Sequence, residues 1–284
     1  MAETFPAWDG QVPISRLTQQ QLIGQGRTAE VFLYQDRYAI KLFRPSFPKT
    51  AIENEYLVCS VIGSMLDIPK VHARLTIDGR DAIVFDFIKG ESGMKYLLRN
   101  PWGVKHLAEQ FAGLHARIHS IPMPHEVPDL KAVLTRNMDM HGLLPEESKK
   151  TIIRYLETLP DGTTLCHGDF HPDNILLHDR NVFVLDWMTA SRGNPLADVA
   201  RTAVLLQWAQ PGPGMPAVIR ALLGTVRNKF YDRYVTQYVK LTGARLEDIQ
   251  KWELPVMAAR LMEWIPLTEK ALLISKVNEK LKSI

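Results

Sequence analysis

Three oxygen-bearing side chains stand close together in the stretch from Leu165 to Ala200, LCHGDFHPDNILLHDRNVFVLDWMTASRGNPLADVA. Asp169 and Asn174 are five residues apart in HGDFHPDN, and Asp186 follows two apolar runs, NILL and VFVLD, that the short turn DRN can join. A tight hairpin flanked by two loops would carry all three to one edge. Phosphoryl transfer needs such a set: an acid beside the attacking hydroxyl, and hard oxygen ligands that hold Mg²⁺ against nucleotide phosphates. Any one of these residues alone would read as an ordinary turn residue. The combination at this spacing carries the chemistry.

The run HGDFHPDN, then LDW, then GNPLAD resembles the aminoglycoside phosphotransferase-like family of small-molecule kinases, which includes the choline-kinase relatives. Protein kinases share the D-x-x-x-x-N arithmetic but show H-R-D and D-F-G, whereas this chain has His167-Gly168-Asp169 and Asp186-Trp187-Met188. A small-molecule kinase is therefore the preferred reading. The resemblance implies an α+β, bilobed protein-kinase-like fold with a small antiparallel-sheet N-lobe, residues 1–88, and a larger, mainly helical C-lobe, residues 89–284. It implies Asp169 as the catalytic acid that orients the hydroxyl and receives its proton late, and Asn174 and Asp186 as Mg²⁺ ligands. His167 matches the family histidine that braces the loop, and Asp198 an acid that anchors it from behind. His171 stays open between bracing and exposure.

The elements that must position these residues can be read along the chain. From Ile14 to Leu42 the pattern is short strands and turns, QLIGQGRTAEVFLYQ and then RYAIKLF. Gly24 and Gly26 would let main-chain N–H groups approach phosphates, and Val31 stands where a kinase residue covers the adenine, although Ala29 replaces the third glycine of the kinase pattern. Lys41 in YAIKLF matches the lysine that grips the α- and β-phosphates. A lysine in an apolar strand needs an acid. Glu53 and Glu55 on the following helical stretch both offer one, and the resemblance favours Glu55. VHARLTI, a DGR turn and DAIVFDFIKG read as a hairpin ending at a hinge, which in bilobed kinases sets Asp86, Phe87 and Ile88 beside the base through main-chain contacts.

The segment KHLAEQFAGLHARIHSI puts Leu107, Phe111, Leu114, Ile118 and Ile121 on one stripe, a core helix of the larger lobe. His115 and His119 have the spacing of half a metal site. With no third ligand nearby in the chain, bracing of backbone is the preferred role. Residues 123–148 are the least readable and a candidate for part of the substrate site. Glu147 to Leu159 reads as a helix stopped by Pro160-Asp161-Gly162. After Asp198 the pattern is helical apart from a loop at Pro211–Pro216, with Trp208, Tyr231, Tyr234, Trp252, Glu253, Glu263 and Trp264 as candidates to line a substrate pocket.

The 284 residues, 46% hydrophobic and 23% charged, describe a globular protein with one core or two lobes. A formal charge of +3, without a block of like charges, gives no sign of nucleic-acid binding. No apolar run reaches the roughly 18 residues a membrane helix requires. Two distant cysteines and a start without a leader-like pattern point to a reduced, cytoplasmic protein. The expected reaction uses ATP and Mg²⁺ to phosphorylate a hydroxyl of a small molecule, an antibiotic or a hydroxylated metabolite. Residues 207–284 hold 12 Lys/Arg against 7 Asp/Glu, which leans against a polycationic acceptor. A nucleotide-binding pseudokinase is the alternative, but a pure binder has no need of Asp169. A protein kinase is disfavoured by the missing signatures and by the absence of a legible activation segment between Asp186 and Asp198.

Overall fold

The computed structural model describes residues 17–210 and 217–284, with side chains for all of these except 217–223. Ile14 and the loop expected at Pro211–Pro216 therefore lie outside the described residues. The chain forms two compact units, one running up to Ser92 and resuming at 174–189, the other made of 93–173 and 190–284.

The first unit opens with strands β1 (Leu22–Gln25), β2 (Ala29–Tyr34) and β3 (Tyr38–Phe43), helix α1 (Lys49–Ile62), and strands β4 (Val71–Ile77) and β5 (Arg80–Asp86). The strands make one antiparallel sheet in the order β1-β2-β3-β5-β4. Period-two alternation divides its faces. Phe32, Tyr38, Ile40, Leu42, Ile77 and Val84 pack on one side, and Ala29, Phe43 and Ile83 pack on the other with Ile52 of α1. Lys41 is opposite Val31 in the β2–β3 register and shares the α1 face with Ala39 and Phe43. The short strand β6 (Glu91–Ser92) closes this part of the unit.

The second unit begins with helices α2 (Gly93–Arg99), α3 (Val104–Ile118), α4 (Leu130–Asp139) and α5 (Glu146–Thr158), followed by strand β7 (Thr164–Cys166). The chain then returns to the first unit for the hairpin β8 (Ile175–His178) and β9 (Asn181–Val184). Strand pairing explains this return: β8 is hydrogen-bonded to β6 as well as to β9. The contacts place a boundary after Ser92 and gather 174–189 with the sheet. Strand β10 (Ser191–Gly193) pairs with β7, and helices α6 (Pro195–Trp208), α7 (Ala217–Thr242), α8 (Leu246–Lys251), α9 (Glu253–Arg260) and α10 (Leu267–Leu281) complete the second unit. Asn194 caps α6 by accepting from Leu196 N, with Pro195 at the first helical position.

Helix α3 carries the expected stripe, with Leu107, Phe111, Leu114, Ile118 and Ile121 buried. Its partner is α7, whose Phe230, Tyr234 and Tyr238 recur at four-residue intervals on one buried face. Phe111 packs against Phe230 and Tyr234 at ring-centroid distances of 5.3 Å each and stacks on Phe170, the residue after Asp169, at 4.0 Å. The stretch that carries Asp169 thus rests on an aromatic floor. One helical turn further, His115 and His119 each point Nε2 at the same oxygen of Asp198, at 3.1 and 3.2 Å, and Nδ1 at the hydroxyls of Tyr234 and Tyr238, at 2.7 Å each. The sequence offered no third partner for the two histidines; the fold brings Asp198 to them from α6.

Asp198 also accepts from the backbone N–H of His167 at 2.5 Å and of Gly168 at 2.9 Å. Its side chain is fully buried. Burial alone would raise the carboxyl, but the hydrogen bonds from His115 and His119 outweigh it and hold Asp198 well below the usual carboxylate range. Burial holds His115 down at about 3, so its imidazole is neutral. The anion is therefore stabilised by N–H donors without an arginine or lysine among these partners.

Two outcomes follow from this packing. Phe111→Ala should cost roughly 3–5 kcal/mol by removing a buried ring from the floor, read as a lower urea midpoint; a loss under about 1 kcal/mol would show that the floor does not depend on it. Asp198→Asn should cost roughly 3 kcal/mol or more at pH 7 because the buried donors lose their anion. A depressed folded carboxyl stabilises above its unfolded value of about 3.9 and loses that contribution as pH falls. The gap in urea midpoint between wild type and Asp198→Asn should therefore narrow below about pH 4, and a gap that widens there would contradict the assignment.

Candidate active site

In the first unit a cavity of about 500 Å³ lies among strands β1, β2, β3 and β5, helix α1 and the β8–β9 hairpin, within the usual size range for small-molecule sites. Ile23, Gly24, Val31, Ala39, Phe85, Leu176 and Val184 line it, and its polar wall is Lys41, Glu55, Asn174 and Asp186. Lys41 Nζ donates to Glu55 at 2.7 and 2.8 Å and to Asp186 Oδ1 at 2.8 Å. Burial alone would lower the Lys41 ammonium, but Asp186 and Glu55 outweigh it and hold it raised and charged. Burial pushes the Glu55 carboxyl up, and Lys41 pulls it back. Of the two glutamates on α1, Glu55 faces the lysine, and Glu53 pairs with Arg74 at the surface.

Backbone geometry sets Asp186. Its φ is +65°, a left-handed conformation that costs a side-chain-bearing residue energy and is least costly for Asn and Asp. Leu185 N donates to Asn174 O at 2.9 Å, and Asn54 Nδ2 of α1 donates to Met188 O at 3.2 Å, so both sides of Asp186 are tied down. One Asp186 oxygen is occupied by Lys41, and the side chain remains 31% exposed. An amide oxygen and a carboxylate lining one cavity are the hard donors that a divalent cation takes.

At the hinge, Asp86, Phe87 and Ile88 line the same cavity. The amide of Asp86 donates to Lys70 O at 2.9 Å and that of Phe87 to Arg37 O at 2.7 Å, so these two amides are committed within the protein. The Asp86 carboxylate lies 2.7 Å from His72 Nε2. Gly26 is not in the cavity wall, and its N–H is taken by Ala29 O at 2.8 Å, whereas Gly24 lines the cavity.

Asp169 belongs to the second unit, as do His167 and Asp198. Gly168 adopts φ +78°, a conformation that glycine reaches without penalty, and so turns the loop beneath Asp169. Asp169 N donates to His167 Nδ1 at 3.2 Å, which explains the bracing role read for that histidine. His171 settles as a partner of Asp169: its Nδ1 accepts from Asp173 N at 3.3 Å, which leaves Nε2–H facing Asp169 Oδ2 at 3.3 Å. Arg201 of α6 reaches Asp169 Oδ1 at 3.4 Å. Burial would raise the Asp169 carboxyl, but His171 and Arg201 outweigh it and hold the group far below the ordinary range. Asp169 is an anion that can orient a hydroxyl.

The sequence reading missed Arg201, although it sits three residues after Asp198 on α6, and residues three apart share a helix face. It also missed the apolar wall from Leu176 and Val184, because hairpin alternation alone does not say which face meets a cavity. Of the pocket candidates near the C-terminus, Tyr234 and Trp252 are core residues, Glu253 pairs with Lys280 at 2.8 Å, and Glu263 bridges Arg201 and Arg260. Trp264 is 79% exposed.

Residues 19–233 match the phosphotransferase enzyme family, APH. Among curated proteins, acyl-CoA dehydrogenase family member 11 of Gallus gallus is 31% identical over 104 residues, 34% of this chain, and the chain spans only 13% of that protein's length. Among solved structures, the fold is similar to that of an aminoglycoside-3'-phosphotransferase of type VIII, with a TM-score of 0.61, 16% identity, and coverage of 88% of this chain and 95% of that one. It is also similar to amicoumacin kinase hAmiN, solved in complex with AMP-PNP, Ca²⁺ and Ami, with a TM-score of 0.60, 12% identity, and coverage of 94% and 89%. With the match covering most of its length, the chain belongs to the phosphotransferase enzyme family, and it has the α+β, protein-kinase-like fold that its motifs resemble.

Proposed function

We propose that this enzyme is an ATP- and Mg²⁺-dependent O-phosphotransferase that moves the γ-phosphate to a hydroxyl of a small molecule, an antibiotic or a hydroxylated metabolite. The observation that carries the reading is Lys41, fixed between Glu55 and Asp186 in the wall of a nucleotide-sized cavity. Gly24, Val31 and the Asp86–Ile88 segment form the sides of that cavity, where a purine would be covered, and Gly26 supports the turn that carries Gly24. Lys41 binds the α- and β-phosphates, and Glu55 keeps it extended. Asn174 and Asp186 would hold the metal, which when bound offsets charge on the phosphate oxygens. Asp169 accepts a hydrogen bond from the acceptor hydroxyl, orients it in line and takes its proton late; His167 and Asp198 hold the loop in place. Within this reading residues 1–88 act as the nucleotide lobe and 89–284 as the catalytic and acceptor lobe.

The acceptor is neutral or singly charged. A polyamine-like substrate needs several unpaired acids, yet six of the seven acids between 224 and 284 lie within ion-pair distance of a lysine or arginine. Glu263 gives one oxygen to Arg201 at 2.7 Å and the other to Arg260 at 2.6 Å. Both cysteines are unbridged and buried, which fits the reduced, cytoplasmic setting. Among the described residues no helix is long and apolar enough to cross a membrane.

ADP release should be measured with ATP and Mg²⁺ across aminoglycosides, macrolides, peptide antibiotics, nucleosides, choline, homoserine and sugars. Asp169→Asn should lower turnover of the responding acceptor by roughly 10²–10⁴-fold while nucleotide binding persists. Binding without turnover on every acceptor, in the wild type as well, would favour the regulatory pseudokinase. Lys41→Met should lower kcat by about 10²-fold or more and weaken binding of a fluorescent ATP analogue; unchanged affinity and turnover would remove the cavity from the reading.

A further inference from the structure

The Asp169 carboxylate ends a series of alternating charges that runs through the second unit. Arg201, 13% exposed, donates Nε to Gly168 O at 3.0 Å, Nη2 to Asp169 Oδ1 at 3.4 Å, and Nη1 to Glu263 Oε1 at 2.7 Å. Glu263 passes to Arg260 at 2.6 Å, and Arg260 is held in turn by Glu269, whose contacts from Nε and Nη2 measure 2.9 and 2.6 Å. Helix α6, the end of α9 with the turn that follows it, and the start of α10 supply these groups. We propose that Arg201, locked from behind by Glu263, is a positioning residue that fixes both the peptide plane and the carboxylate of Asp169 for the transfer step. The proposal rests on the kinase reading above.

The geometry of one guanidinium carries the argument. The carbonyl of Gly168 and the N–H of Asp169 belong to one peptide unit. Arg201 grips that unit from its oxygen, and His167 grips it from its nitrogen at 3.2 Å. The same planar fork reaches the Asp169 side chain, so a single rigid group sets backbone and carboxylate together. Its contact to Asp169 Oδ1 is 3.4 Å and that from His171 to Oδ2 is 3.3 Å, so each carboxylate oxygen is aimed by a different side chain. Arg201 would drift without a counter-anchor, since three contacts to one side chain require its own end to be held. Glu263 supplies that anchor with the shortest of the three contacts. Lysine would keep the charge but could not make the three-way contact.

The titratable groups facing Asp169 are His171, Arg201 and His167, so removing the one permanent charge among them, Arg201, has a readable consequence. In ¹³C-aspartate-labelled protein, the Asp169 carboxyl can be assigned by its disappearance in Asp169→Asn and titrated by NMR. Alongside it, basal ADP release with ATP, Mg²⁺ and water as acceptor should be followed. Arg201→Met should move the Asp169 midpoint up by about one pH unit or more and cut hydrolysis roughly tenfold or more. Arg201→Lys should return the midpoint toward wild type and leave hydrolysis low, because charge is restored and the fork is not. Glu263→Gln should lower hydrolysis with a smaller change in midpoint. An unchanged midpoint and rate in folded Arg201→Met, or full recovery of rate in Arg201→Lys, would overturn the proposal. If Arg201→Met fails to fold, the Lys and Gln variants decide by the same two readouts. A midpoint that moves as expected in a protein that hydrolyses no ATP would keep the clamp and discard the kinase reading instead.

Discussion

A fully buried carboxylate is among the most costly groups a fold can carry, and Asp198 is one. Its partners are two imidazoles that donate from Nε2 and two consecutive backbone amides. Each demand reaches into a different part of the second unit. The imidazoles must be on α3, four residues apart, and they in turn need the hydroxyls of Tyr234 and Tyr238 at the same spacing on α7. The amides must come from a loop bent so that two successive N–H groups point the same way, which the left-handed Gly168 allows. Satisfying one anion therefore specifies how α3, α6 and α7 align and what shape the loop before Asp169 takes. The cost of burying it is met by geometry, and the geometry places the catalytic stretch.

The three ligand atoms of His115, His119 and Asp198 lie within 4.8 Å of one another, a spacing that suits a metal. Hydrogen bonding accounts for every one of them without an ion. Each Nδ1 faces a tyrosine hydroxyl and each Nε2 the carboxylate, and neutral imidazole has one donor and one acceptor to give. The first unit uses the opposite device. Around Lys41 the buried charges are formal and opposite in sign, with two carboxylates sharing one ammonium. A charge that must meet a phosphate has to stay charged and within reach of solvent, whereas a charge that only holds a loop can be sealed away. Asp186 keeps 31% of its side chain exposed and Asp198 none.

What the sequence made legible follows the same division. HGDFHPDN and VFVLD could be read because their chemistry is local: a loop, a two-residue turn and a hairpin fix Asn174 and Asp186 through neighbours in the chain. Helix α3 was legible from its apolar stripe, and the choice of Glu55 over Glu53 from the family resemblance. The contacts of Arg201 with Asp169 and Glu263 were not, since they join residues 32 and 62 positions apart, and His171, only two residues from Asp169, could as well have faced solvent. Gly26 shows the converse limit. Its type suggested an amide offered to phosphate, but a single turn hydrogen bond to Ala29 spends that amide within the protein.

Asp169 differs from Asp198 and Glu55 in keeping 28% of its side chain exposed. Its two side-chain donors, His171 and Arg201, stand at 3.3 and 3.4 Å, longer than the 2.6 to 2.9 Å contacts that lock Arg260 to Glu263 and Glu269. For the proposed transfer, a tight pair there would compete with an acceptor hydroxyl, and no pair would let the carboxylate turn away or take a proton too early. Loose contact from groups that are themselves rigidly held resolves the conflict. The tightness sits one step back, in Arg201 bound to Glu263 and to the Gly168 carbonyl, and the looseness sits where substrate must enter. If the proposed transfer passes through a loose transition state, in which little proton transfer has occurred at the barrier, an acid that is aimed and weakly basic suits it better than a strong base.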